Sequence, residues 1–386
     1  MVEDFKNTDA GIIPNDWNDK TLGTITTSIA SGKSKTQSSI GGKYFIYGST
    51  GIIGHSSKPD YEGKRILVAR VGANAGTVNQ VEGEYCVSDN TLMIQLKKEI
   101  DINYAFFFLK YSNLNKLIFG SGQPLITGTQ LKNLPIPLPP TKDEQTAIAT
   151  TIKNTDALIG QLEKLLTKKR NIKTGAMQEL LKPKEDWKEQ ILGKVATLKA
   201  RIGWQGLTTA EYRKTGNYFL ITGTEFKNGF IDWESCFYVN EERYKQDKNI
   251  QVKKHDVLVT KDGTIGKIAL IKSVPQPATL NSGVFVIRPI ANSFHPEFFY
   301  YLLLSEVFSI FLSQLSAGST ISHLYQKDFV TFKFLQPKTI DEQKEIAKIL
   351  FDMDTEIQEL ERKLEKYKML KQGMMQSLLT GKIRLV

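Results

Sequence analysis

Thr141-Lys142-Asp143-Glu144-Gln145 opens a stretch that the chain writes twice, the second time from Thr339-Ile340-Asp341-Glu342-Gln343. Aligned without a gap, residues 143–181 and 341–379 are identical at 17 of 39 positions, among them Ile148/Ile346, Asp156/Asp354, Leu162/Leu360, Gly175/Gly373 and Gln178/Gln376. Self-similarity at a constant offset is an internal repeat.

Each copy has the pattern of a long helix. Thr141 with Glu144, and Thr339 with Glu342, stand at capping-box spacing, where hydroxyl and carboxylate satisfy free amides of the first turn. Steps of three and four then pick out Ile152, Thr155, Ile159, Leu162, Leu166, Lys169, Lys173, Ala176 and Leu180, and in the second copy Leu350, Met353, Ile357, Leu360, Leu364, Tyr367, Lys371, Met374 and Leu378. A seam of that period packs helix on helix, and about 40 residues far exceeds the usual ~11 of a globular helix. An ordinary amphipathic surface helix is the competing reading. Gly175 and Gly373 interrupt the two copies at the same place, at about 1 kcal/mol each relative to alanine, a cost that close backbone approach would explain.

Outward from the repeat, residues 16–138 are short apolar and aromatic runs broken by glycine, such as Tyr44-Phe45-Ile46-Tyr47, Arg65-Ile66-Leu67-Val68-Ala69 and Thr91-Leu92-Met93-Ile94. These predict strands. Residues 104–118 are the one convincing helical segment there, and Leu134-Pro135-Ile136-Pro137-Leu138-Pro139-Pro140 must lead extended into the cap. The pattern then restarts: Asp186-Trp187 echoes Asp16-Trp17, Gly216-Asn217-Tyr218-Phe219 echoes Gly42-Lys43-Tyr44-Phe45, and Phe298-Phe299-Tyr300-Tyr301-Leu302 echoes Phe106-Phe107-Phe108-Leu109. The expected organisation is a first domain over residues 1–140, a spacer helix over 141–182, a second domain over 183–337, and a second helix with a tail over 338–386. The fold class is α+β: two β-rich mixed α/β domains joined by two long helices. A short link at 182–186 makes the helix pair an antiparallel coiled coil with pseudo-twofold repetition, its helices about 60 Å long.

Composition narrows the classes. The chain has 386 residues, 40% hydrophobic and 24% charged, as expected of a soluble globular protein with two or three domains. The longest apolar run, Phe298 to Leu304, stops at Ser305-Glu306, well short of a membrane span, and the N-terminus lacks a signal-peptide pattern, so the expected location is cytoplasmic. Cys86 and Cys236 sit in strand-like contexts and are expected to be reduced and buried, and four scattered histidines suggest no metal site. A net charge of +10, spread over all four segments, favours a polyanionic partner without naming one.

Motifs of catalysis reduce to decoys. Pro59-Asp60-Tyr61-Glu62-Gly63-Lys64 has the letters of a nuclease site but packs them into one turn. Gly263-Thr264-Ile265-Gly266-Lys267 lacks the spacing and the trailing hydroxyl of a phosphate loop, and is expected to be a tight turn between strands. No methyltransferase Asn-Pro-Pro-Tyr, dinucleotide-binding glycine motif or nucleophile elbow occurs.

Paired Pro…Asp-Glu-Gln helices, each closing a variable domain, resemble the specificity (S) subunit of type I restriction-modification enzymes over nearly the whole chain. The segment from Arg201-Ile202-Gly203-Trp204-Gln205-Gly206-Leu207, with Thr222-Gly223-Thr224 and Lys261-Asp262-Gly263-Thr264, is similar to a recurrent target-recognition domain of that family, and Arg70-Val71-Gly72-Ala73-Asn74-Ala75-Gly76 is its less typical counterpart. The resemblance implies a non-catalytic DNA-specificity subunit without a cofactor of its own, reading a bipartite duplex target. It also implies docking of two modification subunits, adenine methyltransferases that bind S-adenosylmethionine, and of restriction subunits that use ATP and Mg. The expected DNA contacts are Lys33, Lys35, Arg70, Asn74, Lys199, Arg201, Gln205, Thr224, Lys261 and Thr264. The exposed sides of the helices, with Gln145, Gln178, Gln343 and Gln376, are the expected modification-subunit interface. Trp204 could stack or anchor its loop, with core packing the preferred reading, as it is for Trp17 and Trp187. The alternative from the residues is a coiled-coil scaffold or dimeric protein whose two β-rich modules bind protein or single-stranded nucleic acid.

Overall fold

The computed structural model describes residues 4–33, 41–118, 124–316 and 323–385. It divides into two compact units, one of Met1–Leu165 with Leu360–Val386 and the other of Leu166–Glu359. Each unit therefore contains one globular part, the start of one long helix and the end of the other. The expected segments follow chain order, whereas the compact units follow packing and cut each long helix near its middle.

In the first unit, strands Thr26–Ser31, Thr91–Leu96, Arg65–Ala69 and Val78–Val81 form an antiparallel sheet in that order. A second sheet orders Gly51–Ser56, Tyr44–Gly48, Glu84–Val87 and Tyr61–Glu62, with Tyr44–Gly48 and Glu84–Val87 parallel. The second unit repeats the plan. Ala196–Lys199, Val284–Pro289, Val257–Thr260 and Ile268–Leu270 make the antiparallel sheet, and Tyr218–Ile221 pairs in parallel with Ala278–Leu280. The echo at Tyr44/Tyr218 thus falls on equivalent strands.

Against each antiparallel sheet packs a short aromatic helix. Tyr104, Phe107 and Phe108 of helix Ile102–Tyr111 join Ile66, Val68, Leu92 and Ile94 in one core, and Phe298, Phe299 and Tyr301 of helix Pro296–Leu304 join Val257, Val259, Phe285 and Ile287 in the other. The first of these helices is shorter than the segment expected over residues 104–118. Ser112 Oγ donates back to Phe108 O, and Asn113 adopts φ +46, a left-handed conformation that asparagine tolerates and a continuing helix does not. A separate 3₁₀ turn, Leu114–Leu117, follows. Both cysteines are free and buried as expected, and burial pushes the Cys236 thiol up to about 12, which keeps it protonated.

The long helices run Lys142–Leu180 and Ile340–Leu378. Their seam resolves the puzzle of lysines at apolar-spaced positions, because each pairs with an acid on the facing helix. In the first unit Lys371 reaches Asp156 at 2.5 Å, and in the second Lys173 reaches Asp354 at 2.6 Å and Lys169 reaches Glu356 at 2.6 Å. Numbers rise on one helix as they fall on the other, so the pairing within each unit is antiparallel. Asp354 also accepts from Tyr301 Oη at 2.8 Å, so a carboxylate mostly removed from water has both oxygens satisfied.

The Asp-Glu-Gln motif fastens each globular part to its helix. Gln145 Oε1 accepts from the amide of Asp101, the residue that caps the aromatic helix, at 2.9 Å, and its Nε2 donates to Pro139 O at 3.2 Å. Gln343 does the same with the His295 amide at 2.8 Å and Pro337 O at 3.1 Å. Both glutamines are buried, which corrects their expected place on an exposed helix side; their amides face inward because backbone donors and acceptors await them there. Of each capping box the hydroxyl half forms, with Glu144 and Glu342 amides donating to Thr141 and Thr339. The carboxylates turn instead to the chain leaving the facing helix: Arg384 bonds Glu144, and Lys184 bonds Glu342 at 2.8 Å. Leu378 and Leu379 enter the first core, and Leu181 and Trp187 the second.

Gly175 and Gly373 do not mark a close approach, since nothing stands within 4 Å of where a Cβ would sit at either, and nothing in the structure explains them. Gly175→Ala and Gly373→Ala should therefore each stabilise the protein by about 1 kcal/mol, read as a rise in the midpoint of denaturant unfolding. Gln343→Ala should destabilise it by roughly 2–3 kcal/mol, because a buried amide and a buried carbonyl both lose their partner, whereas Gln178→Ala on the exposed side should be near neutral by the same measurement.

Candidate nucleic-acid interface

In both units the loops at one end of the antiparallel sheet are held together by backbone bonds. In the first unit the Arg70 amide donates to Asn90 O and Arg70 O accepts from Ile126, while Gly32 donates to Thr91 O. In the second, the Lys261 amide donates to Gly283 O and Lys261 O accepts from Leu324. The turns close alike, Gly76 onto Ala69 O and Gly266 onto Thr260 O. Arg70 and Lys261 thus occupy one position on two copies of a scaffold. The next position differs in kind: Val71 bridges to Leu125, whereas Asp262 pairs with His323.

Gly32 is indispensable to the first cluster, because a Cβ there would stand 2.1 Å from Val87 O. Lys33 follows it and is exposed, as is Asn74 in the 70–76 turn. Arg70 is half-buried, and its Nε has no partner among the described residues. Lys35 lies outside the described residues. Lys33, Arg70 and Asn74 gather at one sheet end although they are separated by up to 41 positions in the chain.

The second cluster is braced from below by three buried polar groups. Glu225 accepts from the amides of Thr222 and Gly223 at 3.0 Å each and from the hydroxyls of Thr222 and Thr224. Asn281 accepts from the Leu207 amide at 3.1 Å and donates to Tyr212 Oη at 2.7 Å. Arg201, 1% exposed, donates to Leu280 O, Gln246 Oε1, Arg243 O and Thr279 Oγ1. Burial, and then the neighbouring Arg243 charge, pull its pKa below the ordinary arginine value. Arg201 is therefore a brace whose guanidinium is already occupied, which corrects its expected role as a DNA contact. The missed signal was non-local: its acceptors lie some 40 to 80 positions away.

Lys199, Thr224 and Thr264 are exposed, Lys261 is half-buried with its Nζ 5.3 Å from the centre of the Phe285 ring, and Gln205 keeps Oε1 buried with no partner among the described residues. Gly263–Lys267 forms the expected turn, tied by Thr260 Oγ1, which donates to Thr264 O and accepts from the Lys267 amide. Trp204, for which core packing is the preferred reading over stacking, is 80% exposed, while Trp17 and Trp187 are buried as expected. On the helices Gln178 and Gln376 are exposed. Among the described residues no group of three or more His, Cys, Asp or Glu is placed to hold a metal, and no single helix is long and apolar enough to cross a membrane.

Comparison with known proteins agrees with this plan. The type I restriction modification DNA specificity domain matches the chain twice, over residues 14–173 and 184–367. The MjaVIII specificity subunit of a type I restriction enzyme from Methanocaldococcus jannaschii is 28% identical over 83% of this chain and 79% of its own length. The putative MjaX specificity subunit from the same organism is 25% identical over 99% of this chain and 97% of its own. A crystal structure of the S subunit of a type I restriction-modification system from M. genitalium shares the fold, with a TM-score of 0.67 at 19% identity over 94% of this chain and 96% of that one. The chain belongs to the type I restriction-modification specificity-subunit family and carries the family's DNA specificity domain once in each half.

Proposed function

We propose that this chain is the sequence-reading component of a type I restriction-modification complex, each globular part reading one half of a bipartite duplex target in the cytoplasm. The observation that carries the reading is one scaffold used twice with different side chains at equivalent loop positions, Arg70 with Val71 and Leu125 against Lys261 with Asp262 and His323. Phosphate contacts position such a protein and a few base contacts specify. Lys33, Lys35, Arg70 and Asn74 serve the first half-site, and Lys199, Gln205, Thr224, Lys261 and Thr264 the second. Arg201 holds the second surface in shape without touching DNA.

The chain does no chemistry on this reading. Two modification subunits bring S-adenosylmethionine and methylate adenine, restriction subunits bring ATP and Mg, and the exposed helix faces around Gln178 and Gln376 receive the modification subunits. The two long helices act as a ruler between the half-sites. The domains are the segments 1–140 and 183–337, with spacers at 141–182 and 338–386.

Methylated adenines mapped genome-wide in cells with and without this chain should reveal a two-part motif that disappears with it. In the same assay, Arg70→Ala should weaken methylation about tenfold or relax one half of the motif, and Lys261→Ala should do so for the other half. A variant pair that disturbs both halves alike would contradict the assignment of one domain to each half. Adding one helical turn, about 5.4 Å, to both helices should lengthen the unread spacer by one or two base pairs, and an unchanged spacer would rule out the ruler.

A further inference from the structure

We propose that Trp204 is an apolar wedge that enters the duplex at a base step in the half-site read by the second domain. The inference rests on the DNA-reading function above and assigns a specific residue to it. An exposed leucine needs no explanation, but an indole carries on the order of 150–250 Å² of surface, and here it stands 80% exposed beside Ile202 at 53%.

The segment that holds it out is rigid. Residues Gly203–Gln205 form a 3₁₀ turn closed by Gln205 N donating to Ile202 O at 2.8 Å and Gly206 N donating to Gly203 O at 3.0 Å. One side of the turn is anchored by Arg201 with its four acceptors, and the other by Leu207 bonded to Asn281. A Cβ at Gly206 would meet Ser282 Oγ at 3.3 Å, so the base of the turn is tight, whereas nothing lies within 4 Å of a Cβ at Gly203, beside the indole. The result is a slim projection with glycine where a second backbone could come near. Burying Trp204 or Ile202 in the domain would have gained hydrophobic stabilisation, yet two buried polar groups, Arg201 and Asn281, frame a turn that keeps them out.

The same frame says what covers the projection. Gly206 touches Ser282, Gly283 N–H and C=O lie next in the chain, and Gly283 O accepts from Lys261, so the turn adjoins the loops bearing Lys261, Thr264 and Thr224. Lys199 is exposed two residues before Arg201. An apolar pair flanked by lysines and hydroxyls suits a ligand with an anionic backbone and stacked aromatic faces, which is duplex DNA.

The test uses the full chain assembled with its modification subunits, on duplexes bearing the mapped motif with 2-aminopurine at successive positions of the second half-site. Wild type should raise the fluorescence at one step, and Trp204→Ala should abolish that rise and weaken binding roughly ten- to a hundredfold, with Trp204→Phe retaining most of both. Because no phosphate contact is lost, the dependence of binding on salt should keep its slope in Trp204→Ala. The substitution is at an exposed site, and an unchanged melting temperature would separate its effect from folding. Binding and a fluorescence rise equal to wild type in Trp204→Ala would overturn this inference alone, as would loss of assembly with the modification subunits, which would make the indole a protein contact. A wild-type complex indifferent to the motif would overturn both the inference and the function beneath it.

Discussion

Two glutamines couple everything else. Gln145 and Gln343 each accept from the amide of the residue that caps an aromatic core helix and donate to a proline carbonyl just past the preceding strand. One side chain thus joins three elements: the strand that ends the globular part, the helix at its centre and the long helix that follows. A buried side-chain amide can satisfy both partners at once, so the joint is stiff where a flexible linker would otherwise lie. A recognition surface is useful only if its angle to the long helix is fixed, and this bond fixes it at the root.

The neighbouring glutamates do the complementary task. Glu144 and Glu342 bind cations just past the end of the facing helix, Arg384 and Lys184, so each joint also captures the chain that returns to it. Further along, Lys173–Asp354 and Asp156–Lys371 are the same pair written in the two repeats. Charged seam pairs contribute little net stability against apolar residues of equal size, but a slipped register would leave the largely desolvated Asp354 carboxylate and Lys173 ammonium without their partners. The apolar seam residues supply attraction, and the ion pairs select one register.

Much of this plan was legible in order along the chain. The helices were readable because a three-four period sustained over ten turns has no other interpretation, and the observed bounds differ from the repeat's by only a residue or two. The strands were readable from β-branched runs and glycine punctuation. What polarity and hydropathy misplaced were groups whose partners are distant in sequence: Gln145 bonds 44 positions back, and Arg201 up to 79 positions on. Polar side chains were therefore sent outward and Trp204 inward, each by a rule that is right on average and blind to tertiary acceptors. The glycines at 175 and 373 failed differently, since coincidence in both repeats suggested a packing role that the open space around them does not support.

The division of labour between buried and exposed polar groups explains how one scaffold can carry two different sets of exposed side chains. Glu225, Asn281 and Arg201 each hold the second set of loops in part by bonds to backbone atoms, which a change of loop side chain would leave intact. Equivalent backbone bonds hold Arg70 and Lys261 in one position although the side chains around them differ. Stability resides beneath the surface, so the exposed residues contribute little to folding and are free to change. The constraint runs the other way as well: a change in Gln145 or Gln343 would loosen how its own globular part is held on its long helix, without altering any exposed loop residue.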